Sequence, residues 1–186
     1  MAFFNLIKLD NEFKKFWYVF ILAILCISFD LNAQTPCFES VKNSSVCLDE
    51  LKKPTIFIFI SQLSDQKAAE TWLNPLYNKL IVKADMLDSF IDADVVVFST
   101  SASLNTQIQL KKKTIVDWLN EWKINHLLYC NNEADLTTWK SQWGINYNKA
   151  PGIAVYNPKN KSMKFITEGV FSDDKMDLLE DFLLEN

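Results

Sequence analysis

The chain contains no arginine. Its 19 basic residues are all lysine and face 23 Asp and Glu, for a net charge of −4. Without a guanidinium there is no planar fork for a bidentate grip on phosphate or carboxylate. A mildly acidic, arginine-free chain also has no electrostatic draw toward nucleic acid. Glycine is nearly as scarce, with 3 in 186 residues, which excludes a Gly-rich loop cradling phosphates. His126 is the only histidine. It has no cysteine or carboxylate at ligand spacing, so no metal site is expected. The sequence predicts neither a metal nor an organic cofactor, and no nucleic-acid partner.

A membrane span is not expected either. The apolar run Phe16 to Phe29 has 14 residues, about 21 Å of helix against a hydrocarbon core of roughly 30 Å. Lys14 and Lys15 precede it and Leu31-Asn32-Ala33 follows as a small-residue cleavage site. This is the layout of a secretory signal. Residues 1–33 are therefore expected to be a cleaved signal peptide, with an uncleaved anchor as the alternative. Residues 34–186 would form one domain, exported to the periplasm or the extracellular space, with no stable membrane span after cleavage. Leu25 before Cys26 is too large for the usual lipid-attachment site. Cleavage would remove Lys8, Lys14 and Lys15 with Asp10, Glu12 and Asp30, leaving the net charge at −4.

Three cysteines follow the signal: Cys37, Cys47 and Cys130. In an oxidising compartment the simplest arithmetic is one pair and one odd thiol. A hairpin turning near Asn43-Ser44-Ser45 would set Cys37 opposite Cys47, so a structural disulfide there is expected, with a redox-active pair as the alternative. Cys130, at the end of the apolar "HLLYC", reads as a buried free thiol.

Beyond residue 34 the chain alternates strand and helix signals. "TIFIFIS" (55–61) and "ADVVVFST" (93–100) are unbroken apolar runs, as in strands buried on both faces. Between them "SDQKAAETWLNPLYNKLIVK" carries Trp72, Leu76 and Leu80 on one helical face, with Ser64 or Asp65 as cap and Pro75 as a kink. "TIVDWLNEW" is a second helix, and Lys111 to Lys113 read as its solvated start. "HLLYC" is a third strand. "EADLTTWKSQWGI" is a helix with Leu136, Trp139 and Trp143 on one side, ending at Gly144. Strands at 152–156 and 163–168 flank the polar loop "NPKNKS", and a helix over 172–184 would bury Met176, Leu179, Phe182 and Leu183. The tryptophans are expected in the core. Such alternation implies a largely parallel sheet with helices on both faces, to which the terminal hairpin adds an antiparallel edge.

This order resembles the thioredoxin-like superfamily, and within it the redoxin branch of exported thiol-disulfide oxidoreductases and peroxiredoxins. The resemblance rests on "TPCF…CLDELKKPTIFIF", "WLNPLYNKL", "WLNEWKINHLLYCNNEADLTTWKSQWGI" and "APGIAVYNPKNKSMKFITEGVFSDDKMDLLEDFL", and it covers nearly all of 35–184. It implies an α/β three-layer sandwich with a central mixed sheet, helices on both faces and an N-terminal hairpin. It further implies a cis Ala150–Pro151 bond, with the backbone of Ala150 held where extended substrates pair.

The family's Cys-x-x-Cys at the start of the first helix is missing. The position falls on Ser64-Asp65-Gln66-Lys67 when counted from the strand, or on Lys67-Ala68-Ala69-Glu70 when counted from Pro75. Neither reading contains a sulfur, and a serine hydroxyl neither ionises near neutral pH nor forms a disulfide. Peroxidase chemistry lacks both its cysteine and its arginine. The expected function is a redox-degenerate module that binds a protein or an extended peptide, or an accessory domain of a larger complex. The alternative is a thiol-disulfide oxidoreductase with relocated cysteines, using Cys37 and Cys47 or Cys130.

Overall fold

The computed structural model describes residues 36–78, 92–124, 126–130 and 132–185. The expected signal peptide, the boundary at residue 34 and Leu80 lie outside them. Among the described residues no helix is long and apolar enough to cross a membrane.

Seven strands form one sheet: β1 Cys37–Ser40, β2 Ser45–Cys47, β3 Thr55–Ile60, β4 Asp94–Ser99, β5 His126–Tyr129, β6 Gly152–Asn157 and β7 Ser162–Glu168, in the order β2-β1-β5-β4-β3-β6-β7. β4 runs parallel to β3 and β5, and every other pairing is antiparallel. The sheet is mixed, as expected, and the terminal hairpin is antiparallel; only the extent of the parallel part is corrected, to the three strands β5, β4 and β3. Short turns make β1–β2 and β6–β7 antiparallel hairpins, and each hairpin joins the parallel β5-β4-β3 block antiparallel, β1 beside β5 and β6 beside β3.

The five helices are α1 Gln66–Leu76, α2 Ala102–Leu110, α3 Lys112–Glu121, α4 Glu133–Gln142 and α5 Asp173–Glu185. α2 is absent from the sequence reading. Only Leu104 and Ile108 are apolar and inward-facing in it, with a buried Asn105 between them. Its start is set by Ser101, whose Oγ accepts from the Leu104 amide. Pro75 sits in the last turn of α1, which continues as a π turn at Tyr77 and Asn78.

β3 shows why both faces are covered. Ile56, Ile58 and Ile60 pack with α1, α2, α3 and α5, whereas Phe57 and Phe59 pack with Phe38, Phe98 and Leu136 of α4. Side chains alternate across a strand, so one apolar run feeds two cores. The result is an α/β sandwich of three layers. Trp72 is fully buried, but Trp118, Trp122, Trp139 and Trp143 are only partly so. Trp139 and Trp143 stack on each other and meet Phe38 edge-on, closing the aromatic core at the surface. Phe182 is likewise half-buried, with the Lys164 ammonium 4.6 Å from its ring centroid.

Candidate functional site

The C-terminal ends of β3, β4 and β5 and the start of β6 meet at one rim of the sheet. β3 ends at Ile60 and the chain turns through a 3-10 segment, Leu63–Asp65, into α1. The pairing of Phe59 with Gly152 brings Pro151 beside that turn. On the other side the Thr100 amide donates to the Ile60 carbonyl at 2.8 Å.

Ser64 and Lys67 are exposed at this turn. Since α1 begins at Gln66, the span from Ser64 to Lys67 straddles the helix start, while Lys67 to Glu70 lies inside the helix. Glu70 points away from the turn: its Oε1 accepts from Gln66 Nε2 and, at 2.9 Å, from the Trp118 indole of α3. The turn is held by Asp65, which is 6% exposed. Its Oδ2 accepts from the Ser61 amide at 2.8 Å, the Ser61 hydroxyl at 3.0 Å and the Gln62 amide at 3.0 Å. Asp65 thus caps the turn before α1 rather than α1 itself, whose own amides receive no side-chain cap from it.

Two further side chains complete the rim, and sequence reasoning missed both. The Thr100 hydroxyl donates to the Ile60 carbonyl at 3.0 Å, which leaves Tyr147 to donate to Thr100 Oγ1 at 2.7 Å. Tyr147 covers Gly152 so closely that a Cβ there would stand 2.6 Å from the ring. Burial pushes the Tyr147 phenol above its ordinary value, the bond to Thr100 opposes this, and the Asp65 carboxylate adds to the rise. Pairs so far apart in the chain leave no local signal, although Ser61 and Asp65 in "SQLSD" do mark a side-chain-capped turn.

The Ala150–Pro151 peptide is cis. The amides of Asn148 and Lys149 donate to Glu168 Oε2, and the Gly169 amide donates to the carbonyls of Lys149 and Pro151. Ala150, between them, spends neither its N–H nor its C=O on a hydrogen bond within the described residues. On the α2 side of the turn, Leu63, Ala69, Leu104, Ile108, Ile115 and Trp118 line an apolar cavity of about 60 Å³.

The cysteines stand away from the β3–α1 turn and the proline loop. Cys37 and Cys47 pair directly across β1 and β2 and form a disulfide, three strand spacings from β3. Cys130 ends β5, two spacings away or about 10 Å. Its Sγ donates to the Asn132 carbonyl at 3.2 Å, and burial, the largest cause, pushes its thiol up. A raised thiol is a poor nucleophile at neutral pH. The described residues contain no cluster of His, Cys, Asp or Glu able to hold a metal.

No family profile and no curated protein matches the chain by sequence. Solved structures do match its fold. A thioredoxin-like protein from Porphyromonas gingivalis is similar at 18% identity and TM-score 0.51, covering 82% of this chain and 91% of that one. The thioredoxin domain of a thiol-disulfide oxidoreductase from Bacteroides vulgatus shares 16% identity at TM-score 0.51, over 81% of this chain and 94% of that one. BsSco, of the Sco family of cytochrome c oxidase assembly proteins, matches at 15% identity and TM-score 0.53, over 80% of this chain and 89% of that one. The fold is thioredoxin-like. Within a thioredoxin-like fold the turn from β3 into α1 and the cis-proline loop face each other. Here that rim offers a buried carboxylate committed to three donors, an exposed serine and lysine, and at Ala150 an N–H and a C=O that have no partner among the described residues. The turn and the proline loop can hydrogen-bond an extended backbone, and neither carries a thiol.

Proposed function

We propose that this is an exported thioredoxin-like domain that has given up thiol chemistry at the usual rim and binds a protein or peptide segment in extended form against Ala150. The observation that carries this reading is the contrast at the rim. Asp65, Ser61 and Gln62 satisfy one another in the turn that leads into the place of a cysteine pair, while among the described residues neither backbone group of Ala150 has a hydrogen-bond partner, which suits an incoming strand. Main-chain pairing of this kind recognises an extended segment with little regard to its sequence.

Two measurements test it together. Fluorescence anisotropy against a panel of unstructured peptides should show binding that Ala150→Pro, which removes the N–H, weakens at least tenfold while circular dichroism stays unchanged. The wild-type protein should not accelerate dithiothreitol-driven reduction of insulin. Turnover that disappears in Cys47→Ser would overturn the reading and make this an oxidoreductase whose active site has moved to the hairpin.

A further inference from the structure

α5 is the acidic extreme of the fold. Its buried face is Met176, Leu179 and Leu183. On the opposite side Asp174, Asp177, Asp181 and Glu185 lie between Leu178 and Leu184, which are 55% and 64% exposed. At 100° per residue these six side chains fall within an arc of about 120°, so they form one stripe rather than scattered positions. Lys175, the one base of α5, does not neutralise the stripe, since its ammonium donates to the carbonyls of Glu168 and Val170. The four carboxylates occupy the middle of that arc and the two leucines its opposite edges, so the stripe is an acidic surface with an exposed apolar side chain at either margin, suited to a basic partner.

The reciprocal surface is on the same chain. At the corner between α2 and α3, Leu110 is 81% exposed, the highest value among the large exposed apolar side chains. Lys111 and Lys113 project beside it into solvent. The intervening Lys112 donates to Asn43 Oδ1 of the β1–β2 turn, which fixes the corner to the sheet. The three lysines are therefore not merely the solvated start of α3. They frame a rigid knuckle with one protruding leucine and positive charge on both sides.

We propose that a second copy of this chain is the occupant: the Leu110 knuckle of one molecule docks on the acidic stripe of α5 of the next. Lys111 and Lys113 meet the central carboxylates while Leu110 packs against a leucine at the margin of the stripe, and the complementary potentials set register and orientation. The two surfaces are different patches, so the contact is head-to-tail and propagates as a ring or a chain rather than closing as a two-fold dimer.

The test is a charge swap on the purified full chain, read by sedimentation velocity across a concentration series. Wild type is expected to self-associate and to do so more weakly as salt rises from 50 to 500 mM. Lys111→Glu with Lys113→Glu, and separately Asp177→Lys with Asp181→Lys, should each weaken association at least tenfold. Every substituted site is exposed, and circular dichroism checks that both variants fold. Mixing the two variants should restore association, because each then presents the charge that the other lacks. A wild type that is monomeric throughout overturns the proposal, as does association that is indifferent to either reversal or is not restored on mixing.

Discussion

Trp72, in the middle of α1, donates its indole N–H to the carbonyl of Gly169 at 2.8 Å. The amide of the same glycine donates to the Pro151 carbonyl at 2.8 Å. One residue, Gly169, thus ties the first helix to the proline loop through its carbonyl and its amide. Trp72→Phe keeps most of the packing but leaves the Gly169 carbonyl without its donor in a buried setting, which costs about 1–3 kcal/mol. Urea denaturation should show the midpoint falling with the m-value unchanged. A midpoint equal to wild type would mean that water replaces the indole and the tie is dispensable.

Asp65 holds the β3–α1 turn with three hydrogen bonds to one carboxylate oxygen. Charge-assisted bonds of this kind exceed neutral ones. Asp65→Asn is expected to lose about 1–3 kcal/mol and to raise amide hydrogen exchange at Ser61 and Gln62 selectively. Exchange that rises across the whole sheet would instead indicate global loosening.

The strands were legible in the sequence because β3 and β4 are apolar on both faces, which no helix period imitates over six residues. The hairpin was legible too, since Asn43 takes a positive φ at its turn and Cys37 faces Cys47 as the spacing requires. α2 escaped because tertiary hydrogen bonds bury its Asn105, which donates to the Cys130 carbonyl and accepts from Ser99 Oγ. Periodicity counts an asparagine as surface. The rim was half legible: the missing sulfurs are plain in the residues, but the link from Tyr147 to Thr100 exists only once β4 and the proline loop are neighbours.

His126 supplies a pH dependence with a definite sign. Burial is the main reason that its imidazole lies below the ordinary 6.5, and the nearby Lys42 lowers it further. The unfolded chain therefore binds a proton more readily than the folded one. The contribution is fully present above about pH 6.5 and is lost as pH falls through the lower folded value. Urea midpoints for wild type and His126→Gln should converge as the pH drops from 7.5 to 4.5. Parallel curves would show that the folded ring protonates freely. Because this is the only histidine, the difference between the two curves has no competing imidazole.

The disulfide closes a loop of ten residues between Cys37 and Cys47, worth about 2.5–3 kcal/mol in the chain-entropy account. Replacing both by serine should lower thermal stability by roughly 5–10 °C for a domain of this size. Peptide binding at the rim should be unaffected, because three strand spacings separate the bridge from β3. Loss of binding alongside the modest loss of stability would place the hairpin in the binding surface.

The sharpest prediction puts the sulfurs back. Ser64 and Lys67 are exposed, three residues apart, and straddle the start of α1. The helix N-terminus at that place stabilises a thiolate. In the double variant Ser64→Cys, Lys67→Cys the two thiols should form a bridge on air oxidation, seen as two fewer free thiols than in the reduced protein. The oxidised form should exchange with dithiothreitol and support insulin reduction, in contrast to the inactivity expected of wild type. Asp65 works against this, since a carboxylate between the two positions disfavours a neighbouring thiolate. Adding Asp65→Asn should therefore lower the thiol pKa further and raise the exchange rate at pH 7, provided that the variant stays folded. If the bridge forms and is reduced but turnover is absent in both variants, the rim differs from a redox site by more than its missing sulfurs. The degeneracy would then extend to the proline loop itself.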